Sequence, residues 1–120
     1  MSLADDKICA SARLNQQYQA KLDGGYTVLT GIVLEFDLEI LETIQLQYDV
    51  KKTDTTKDAS GYCLVDKSGA LHTGISKSDF ETVLTAYRAD GYNTWMEWQT
   101  LLSQVDGCTT LAQLDALQFS

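Results

Sequence analysis

His72, the one histidine in this sequence of 120 residues, is the first candidate for chemistry. It follows Cys63, Asp66 and Ser68 closely along the chain. A serine or cysteine nucleophile bonded to a histidine, which a carboxylate orients in turn, is an arrangement that cleaves esters and amides. Neither a nucleophile-elbow motif nor a cysteine–histidine family signature accompanies these residues. The pattern favours an ordinary strand histidine and no catalytic residues, with a small hydrolase that uses His72 as the alternative.

A metal site is the second candidate, because Asp49, Asp54 and Asp58 surround a polar segment at residues 51–61. Calcium loops alternate acidic residues around a central glycine and end on a glutamate, and this segment lacks that pattern. The sequence also contains neither CxxC nor HExxH. We therefore predict solvated loop charges, with no metal and no cofactor.

Tyr92, Trp95 and Trp98 form the third candidate, since they are spaced three apart and share one helical face. Most such stripes are core packing. The alternative is a protein–protein contact, because tryptophan and tyrosine are enriched among the residues that dominate interface energies.

The net charge is −8, from 17 acidic and 9 basic residues. A negative protein repels nucleic-acid phosphates and anionic membranes, so we predict neither nucleic acid nor membrane as a partner. A small acidic regulator or inhibitor of a host protein, including a nucleic-acid mimic, would carry the same sign of charge.

The 3 cysteines, Cys9, Cys63 and Cys108, are odd in number and far apart, unlike a secreted disulfide framework. They are predicted to be small thiols in or near the core. No stretch resembles a membrane span, and the first residues lack a signal-peptide pattern. We expect a protein made and folded in a reducing cytoplasm.

Hydrophobic periodicity predicts one domain, 1–120, with an α+β fold. The expected architecture is a small antiparallel sheet (a strand plus a hairpin) packed against helices, with one long C-terminal helix and a short final helix. Leu38, Leu41, Ile44 and Tyr48 are predicted to form the apolar face of the second helix. The predicted elements are a helix at 5–23, a strand at 26–36, a helix at 38–50, a hairpin at 62–65 and 70–73, an unbroken helix at 77–104 that passes through Gly91, and a helix at 111–117. Asp37, Ser76 and either Thr109 or Thr110 are predicted to cap the helices that follow them, and Asp66 to Gly69 are predicted to form the hairpin turn.

A linear order of short motifs runs through most of the chain. Its members are Arg13-Leu14-Asn15 with Tyr18, Ala20 and Leu22 in the first helix, Gly25-Tyr26, Thr30-Gly31, Tyr62-Cys63-Leu64-Val65-Asp66, Gly69-Ala70-Leu71-His72, the helix start at Ser76, Leu101-Leu102, Val105-Asp106, and the leucine-spaced tail from Cys108-Thr109-Thr110-Leu111 to Leu117.

This order resembles a family of phage and prophage domains of unknown function, which often stand at the C-terminal end of tail-fibre or tail-assembly proteins or are encoded beside them. The chain differs from that family in having Tyr62 or Cys63 where a tryptophan is common, and in placing its tryptophans in the long helix. The family has no established catalytic residues, so none is carried over.

The resemblance implies a tail-fibre-associated structural, assembly or attachment-accessory module without catalytic activity. Its expected partners are other phage tail proteins or a second copy of itself. The contact would be the helix face around Tyr92, Trp95 and Trp98, or the edge of the hairpin. The expected location is the host cytoplasm during assembly, with the virion tail as the second location.

Overall fold

The computed structural model describes residues 2–53 and 61–120, and within them the predicted α+β fold is confirmed. Helices alternate with two antiparallel hairpins, each of which is a two-stranded sheet of its own. The elements in chain order are α1 (Leu3–Asp23), β1 (Tyr26–Val28), β2 (Ile32–Leu34), α2 (Leu38–Lys51), β3 (Tyr62–Val65), β4 (Leu71–Ile75), α3 (Lys77–Gly107) and α4 (Leu111–Asp115). Most of the polar segment at 51–61 lies outside the described residues.

The stretch predicted as one strand at 26–36 is instead the hairpin of β1 and β2. Leu29 and Gly31 both have positive φ values, 50° and 108°, and the Gly31 N–H donates to the Val28 carbonyl at 3.2 Å. Val28 pairs directly with Ile32, so the even-numbered apolar residues share one face in a hairpin as they would in a single strand. Period-two alternation therefore could not distinguish the two structures.

The second hairpin has the predicted turn. The Gly69 N–H donates to the Asp66 carbonyl at 2.9 Å, and Gly69 has φ +90°, a conformation that glycine adopts without steric cost. The Asp66 N–H donates to the Ala70 carbonyl at 2.9 Å, which closes the strands above the turn. The turn thereby brings His72 on β4 opposite Leu64 on β3.

Side-chain caps begin three helices as the sequence predicted. The Asp37 carboxylate accepts from the Ile40 N–H at 2.8 Å, Ser76 from the Asp79 N–H at 3.1 Å, and Thr110 from the Gln113 N–H at 3.2 Å. Each bond satisfies a backbone donor that has no partner inside its helix. Helix α3 then continues through Gly91, where a Cβ atom would stand 3.6 Å from the Phe36 ring.

Leu38 was predicted on the buried face of α2 and is instead 68% exposed. Ile44 is the buried residue of this helix. Six residues at 100° per residue place Leu38 about 120° around the helix from Ile44, so the two side chains leave on different sides.

Contacts divide the chain into two compact units. The hairpin unit is Leu22–Gly91, and the helical unit comprises the residues up to Lys21 together with Tyr92–Ser120. The single domain, 1–120, stays a prediction.

Aromatic rings dominate the core of the hairpin unit. Tyr62 stacks on Phe80 with ring centroids 4.4 Å apart, and Tyr87 meets Phe36 edge-on at 5.4 Å. The Tyr87 hydroxyl donates to the Glu35 carbonyl at 2.6 Å and accepts from the Asp37 N–H at 2.8 Å. This hydroxyl therefore fixes the backbone between β2 and α2. The buried residues of the core are Val28, Leu34, Phe36, Ile44, Tyr62, Leu64, Ile75, Phe80, Val83, Leu84 and Tyr87.

Small and aliphatic side chains form the core of the helical unit, namely Ala10, Leu14, Leu101, Val105, Cys108 and Leu114. Arg13 on α1 donates to the carbonyls of Leu114 at 2.9 Å and Leu117 at 2.6 Å. The Leu114 carbonyl lies in the last turn of α4 and the Leu117 carbonyl lies just beyond it, so the guanidinium ties the end of the last helix to the first helix.

Candidate functional site

The Asp66 carboxylate is the centre of a hydrogen-bond cluster in the β3–β4 turn. One oxygen accepts from the Ser68 hydroxyl at 2.6 Å and from the N–H groups of Ser68 and Ala70, each at 2.9 Å. The other oxygen lies 2.8 Å from His72 Nε2. The turn places Asp66, Ser68 and His72, which the hydrolase alternative grouped because they are close in sequence, within one another's reach.

The order within this cluster differs from a nucleophile–histidine–acid relay. A relay needs the imidazole between the hydroxyl and the carboxylate. Here the Ser68 hydroxyl donates to Asp66, so the carboxylate stands between the two other groups. The Ser68 hydrogen bond, followed by those of His72 and Ala70, holds the pKa of Asp66 well below its usual range. A carboxylate that stays charged at neutral pH and has these partners organises a turn.

Cys63, the other candidate nucleophile, is half-buried on β3. The Gln47 side-chain amide donates to the Cys63 carbonyl at 2.8 Å and accepts from its N–H at 2.7 Å. A side chain thus fills the place of a neighbouring strand at this edge. The hairpin edge considered as a contact is therefore occupied at Cys63.

The structure describes one of the three acidic residues considered as metal ligands. Asp49 accepts from Gln45 at 3.0 Å and pairs with Lys52 at 3.3 Å, while Asp54 and Asp58 lie outside the described residues. Residues 2–53 and 61–120 contain no group of three or more side chains placed to hold a metal ion. In the same residues, no helix joins the length and apolar character that crossing a bilayer requires.

The cysteines have three different environments, and the prediction for one of them is wrong. Cys108 is buried, Cys63 is half-buried, and Cys9 is exposed on α1. Cys9 follows the apolar Ile8 in the sequence, but the buried side of α1 is the one that carries Ala10 and Leu14.

The aromatic stripe of α3 separates into two parts. Trp98 is half-buried and lies flat on Tyr18 of α1, with ring centroids 4.3 Å apart and planes 8° from parallel. Its indole N–H donates to Asn15 Oδ1 at 3.0 Å. Trp98 therefore contributes to packing α3 against α1.

Tyr92 and Trp95 are 62% and 45% exposed, and Met96 beside them is 38% exposed. The two rings have centroids 6.4 Å apart and planes tilted by 34°. We call these three residues the aromatic patch. Met96 was missed in the sequence, although its position four residues after Tyr92 on a helix would have indicated it.

No protein-family model, curated protein or solved structure matches the chain. The function is therefore inferred from the surfaces of the chain and from the resemblance of its sequence motifs.

Proposed function

We propose that this protein is a non-catalytic docking module of a phage or prophage, associated with tail fibres and acting in their structure, assembly or attachment. It binds another tail protein through the aromatic patch of Tyr92, Trp95 and Met96. Its place is the host cytoplasm during assembly and then the virion tail.

The observation that carries this proposal is the exposure of two large rings on one helix face. The core of the helical unit contains neither Tyr92 nor Trp95, and both side chains are exposed. Tryptophan and tyrosine at the centre of an interface commonly supply most of its binding energy, and a flexible methionine adapts to the partner's shape. The patch has the composition of a protein-binding surface.

Two further features support a protein partner within a tail. The net charge of −8 disfavours nucleic acid and anionic lipid. The order of motifs from Arg13 to Leu117 resembles a family found with tail fibres, which supports the choice of a tail-fibre protein as the partner.

The test measures binding of the chain to the tail-fibre protein encoded in the same genome, by calorimetry. Trp95→Ala and Tyr92→Ala are each expected to weaken binding by roughly thirtyfold, which corresponds to about 2 kcal/mol. Leu71→Ala is the matched control, because Leu71 is 62% exposed in the hairpin unit and should leave affinity unchanged.

A folding check, a pull-down from host lysate and a measurement of the oligomeric state separate the other candidates. Circular dichroism must show that each variant is folded, and a Trp95→Ala chain that only unfolds contradicts the docking role. Wild-type affinity in both patch variants would also contradict it. Retention of a single host enzyme in place of tail proteins would favour an acidic regulator. A dimer that Trp95→Ala dissociates would identify a second copy as the partner.

A further inference from the structure

Helix α2 has a ridge on its solvent side in which three of the four residues are apolar. Leu38, Glu42, Leu46 and Val50 are four residues apart, so they follow one another along a single face. Leu38 and Leu46 are 68% and 64% exposed, and Val50 is 47% exposed. Ile44, on the other side of the helix, is buried in the core. The fold of the hairpin unit therefore uses one side of α2 and leaves the ridge uncovered by the described residues.

A shallow groove of about 530 Å³ adjoins this ridge. Its walls come from α2, with Leu41, Glu42 and Leu46 among them, and from α3, which contributes Arg88. A ridge of residues four apart beside a groove is the surface against which a second helix packs. The shape therefore suits a helical segment.

Acidic groups dominate the part of α2 that carries the exposed leucines, while Lys51 and Lys52 stand at the C-terminal end of the helix. Residues 24–50 contain five acidic residues and no lysine or arginine. Three of the acidic residues, Glu39, Glu42 and Asp49, are exposed on α2 itself. Lys52 pairs with Asp49 at 3.3 Å, and Arg88 stands on the far wall of the groove. Glu39 and Glu42 remain as acidic groups directly beside the exposed leucines.

We propose that the α2 ridge binds a basic amphipathic helix of a partner protein. The apolar stripe of that helix would cover Leu38, Leu46 and Val50, a lysine or arginine within the stripe would meet Glu42, and a basic residue at its flank would meet Glu39. A second copy of α2 packed in parallel would place Glu39 and Glu42 opposite like charges, whereas an antiparallel copy would bring them near Lys51 and Lys52 and is the other occupant to test. This surface is distinct from the aromatic patch, and the proposal holds whether or not the patch binds a tail protein.

The test uses a labelled helical peptide of about 18 residues, with leucine at i, i+3, i+4 and i+7 and lysine elsewhere. Fluorescence anisotropy measures its affinity for the whole protein. Leu46→Ser should weaken binding about tenfold, and the double variant Glu39→Gln, Glu42→Gln several-fold. Raising the salt concentration should weaken the wild-type complex and have less effect on the double variant.

Matched controls lie in the helical unit. Ile8 is 69% exposed beside Lys7 and Asp106 in a comparable groove, so Ile8→Ser and Asp106→Asn should bind the peptide as the wild type does. Trp95→Ala should also bind normally, which keeps this result separate from the docking proposed for the aromatic patch.

Three results would overturn the proposal. The first is wild-type affinity in Leu46→Ser. The second is an equal loss in Ile8→Ser. The third is equal binding of a peptide in which glutamate replaces every lysine. Sedimentation of the free protein tests whether a second copy occupies the ridge. A dimer that Leu46→Ser dissociates would assign the ridge to a second copy and reject the basic partner.

Discussion

The two units use their aromatic residues in opposite ways. In the hairpin unit, the rings of Phe36, Tyr62, Phe80 and Tyr87 are all buried in one core. In the helical unit, Trp98 is half-buried at the margin, and Tyr92 and Trp95 are exposed. Buried rings stabilise the hairpins, which are too short to be stable alone. The core of the helical unit is packed by small and aliphatic side chains, and Tyr92 and Trp95 remain exposed at the surface.

The charges are distributed unequally as well. The hairpin unit carries 12 of the 17 acidic residues with 6 of the 9 basic ones, and the helical unit carries 5 and 3. Net charges of −6 and −2 follow. The difference suggests two kinds of surface on one chain: an acidic face with leucines on α2, and a nearly uncharged aromatic patch on α3.

The largest expected effect is a loss in the free energy of unfolding, and it should differ between two phenylalanines, one from each unit. Phe80 is fully buried and Phe119 is half-buried. Phe80→Ala should lower the free energy of unfolding by about 3–5 kcal/mol, through lost burial and the cavity left behind. Phe119→Ala should cost about 1–2 kcal/mol, because less of its ring leaves water on folding. Urea unfolding of both variants measures the difference, and equal losses would contradict the contrast between the units.

The next largest effect is the loss of stability on removing one hydroxyl group, that of Tyr87. Tyr87→Phe keeps the ring but leaves the Asp37 N–H without its 2.8 Å partner, so we expect a loss of about 1–3 kcal/mol. The control is Tyr18→Phe in the helical unit, where stacking on Trp98 does not depend on the hydroxyl. That control should change stability by less than about 0.5 kcal/mol. If both variants behave alike in urea, the Tyr87 hydroxyl has no special role.

Local signals in the sequence predicted much of this fold correctly. The caps at Asp37, Ser76 and Thr110, the Asp66–Gly69 turn and the uninterrupted α3 were all expected. Each depends on residues within a few positions of one another, where propensity and hydrogen-bond geometry decide the outcome.

Long-range packing decided the features that the sequence did not predict. The Tyr87 hydroxyl bonds to the Glu35 carbonyl, 52 positions away, and no local pattern indicates such a contact. Similarly, the spacing of Tyr92, Trp95 and Trp98 is regular, but only the position of α1 decides that Trp98 is covered and Trp95 is exposed. Periodicity identifies a helix face without identifying what lies against it.

A smaller effect concerns the charged turn of the hairpin unit at low pH. The folded-state pKa of Asp66 is lowered from its ordinary value of 3.8, mainly by the Ser68 hydrogen bond. A lowered pKa contributes stability that is complete above the unfolded value and is lost as the pH falls toward the folded one. The urea midpoint should therefore fall as the pH drops below about 4. Asp66→Asn should have a lower midpoint at pH 7 and a weaker dependence on acid. An acid response identical to that of the wild type would assign the loss to other carboxylates.

The smallest expected change in stability belongs to the aromatic patch. Trp95→Ala removes a side chain that is 45% exposed, so the free energy of unfolding should fall by less than about 1 kcal/mol. Trp98→Ala is the matched comparison on the same helix, and it should cost more because it removes the stacking on Tyr18 and leaves Asn15 without its 3.0 Å donor. Thermal melts followed by circular dichroism rank the two variants. If Trp95→Ala is the more destabilising, Trp95 belongs to the packing of the helical unit, and its ring is no longer available to a partner.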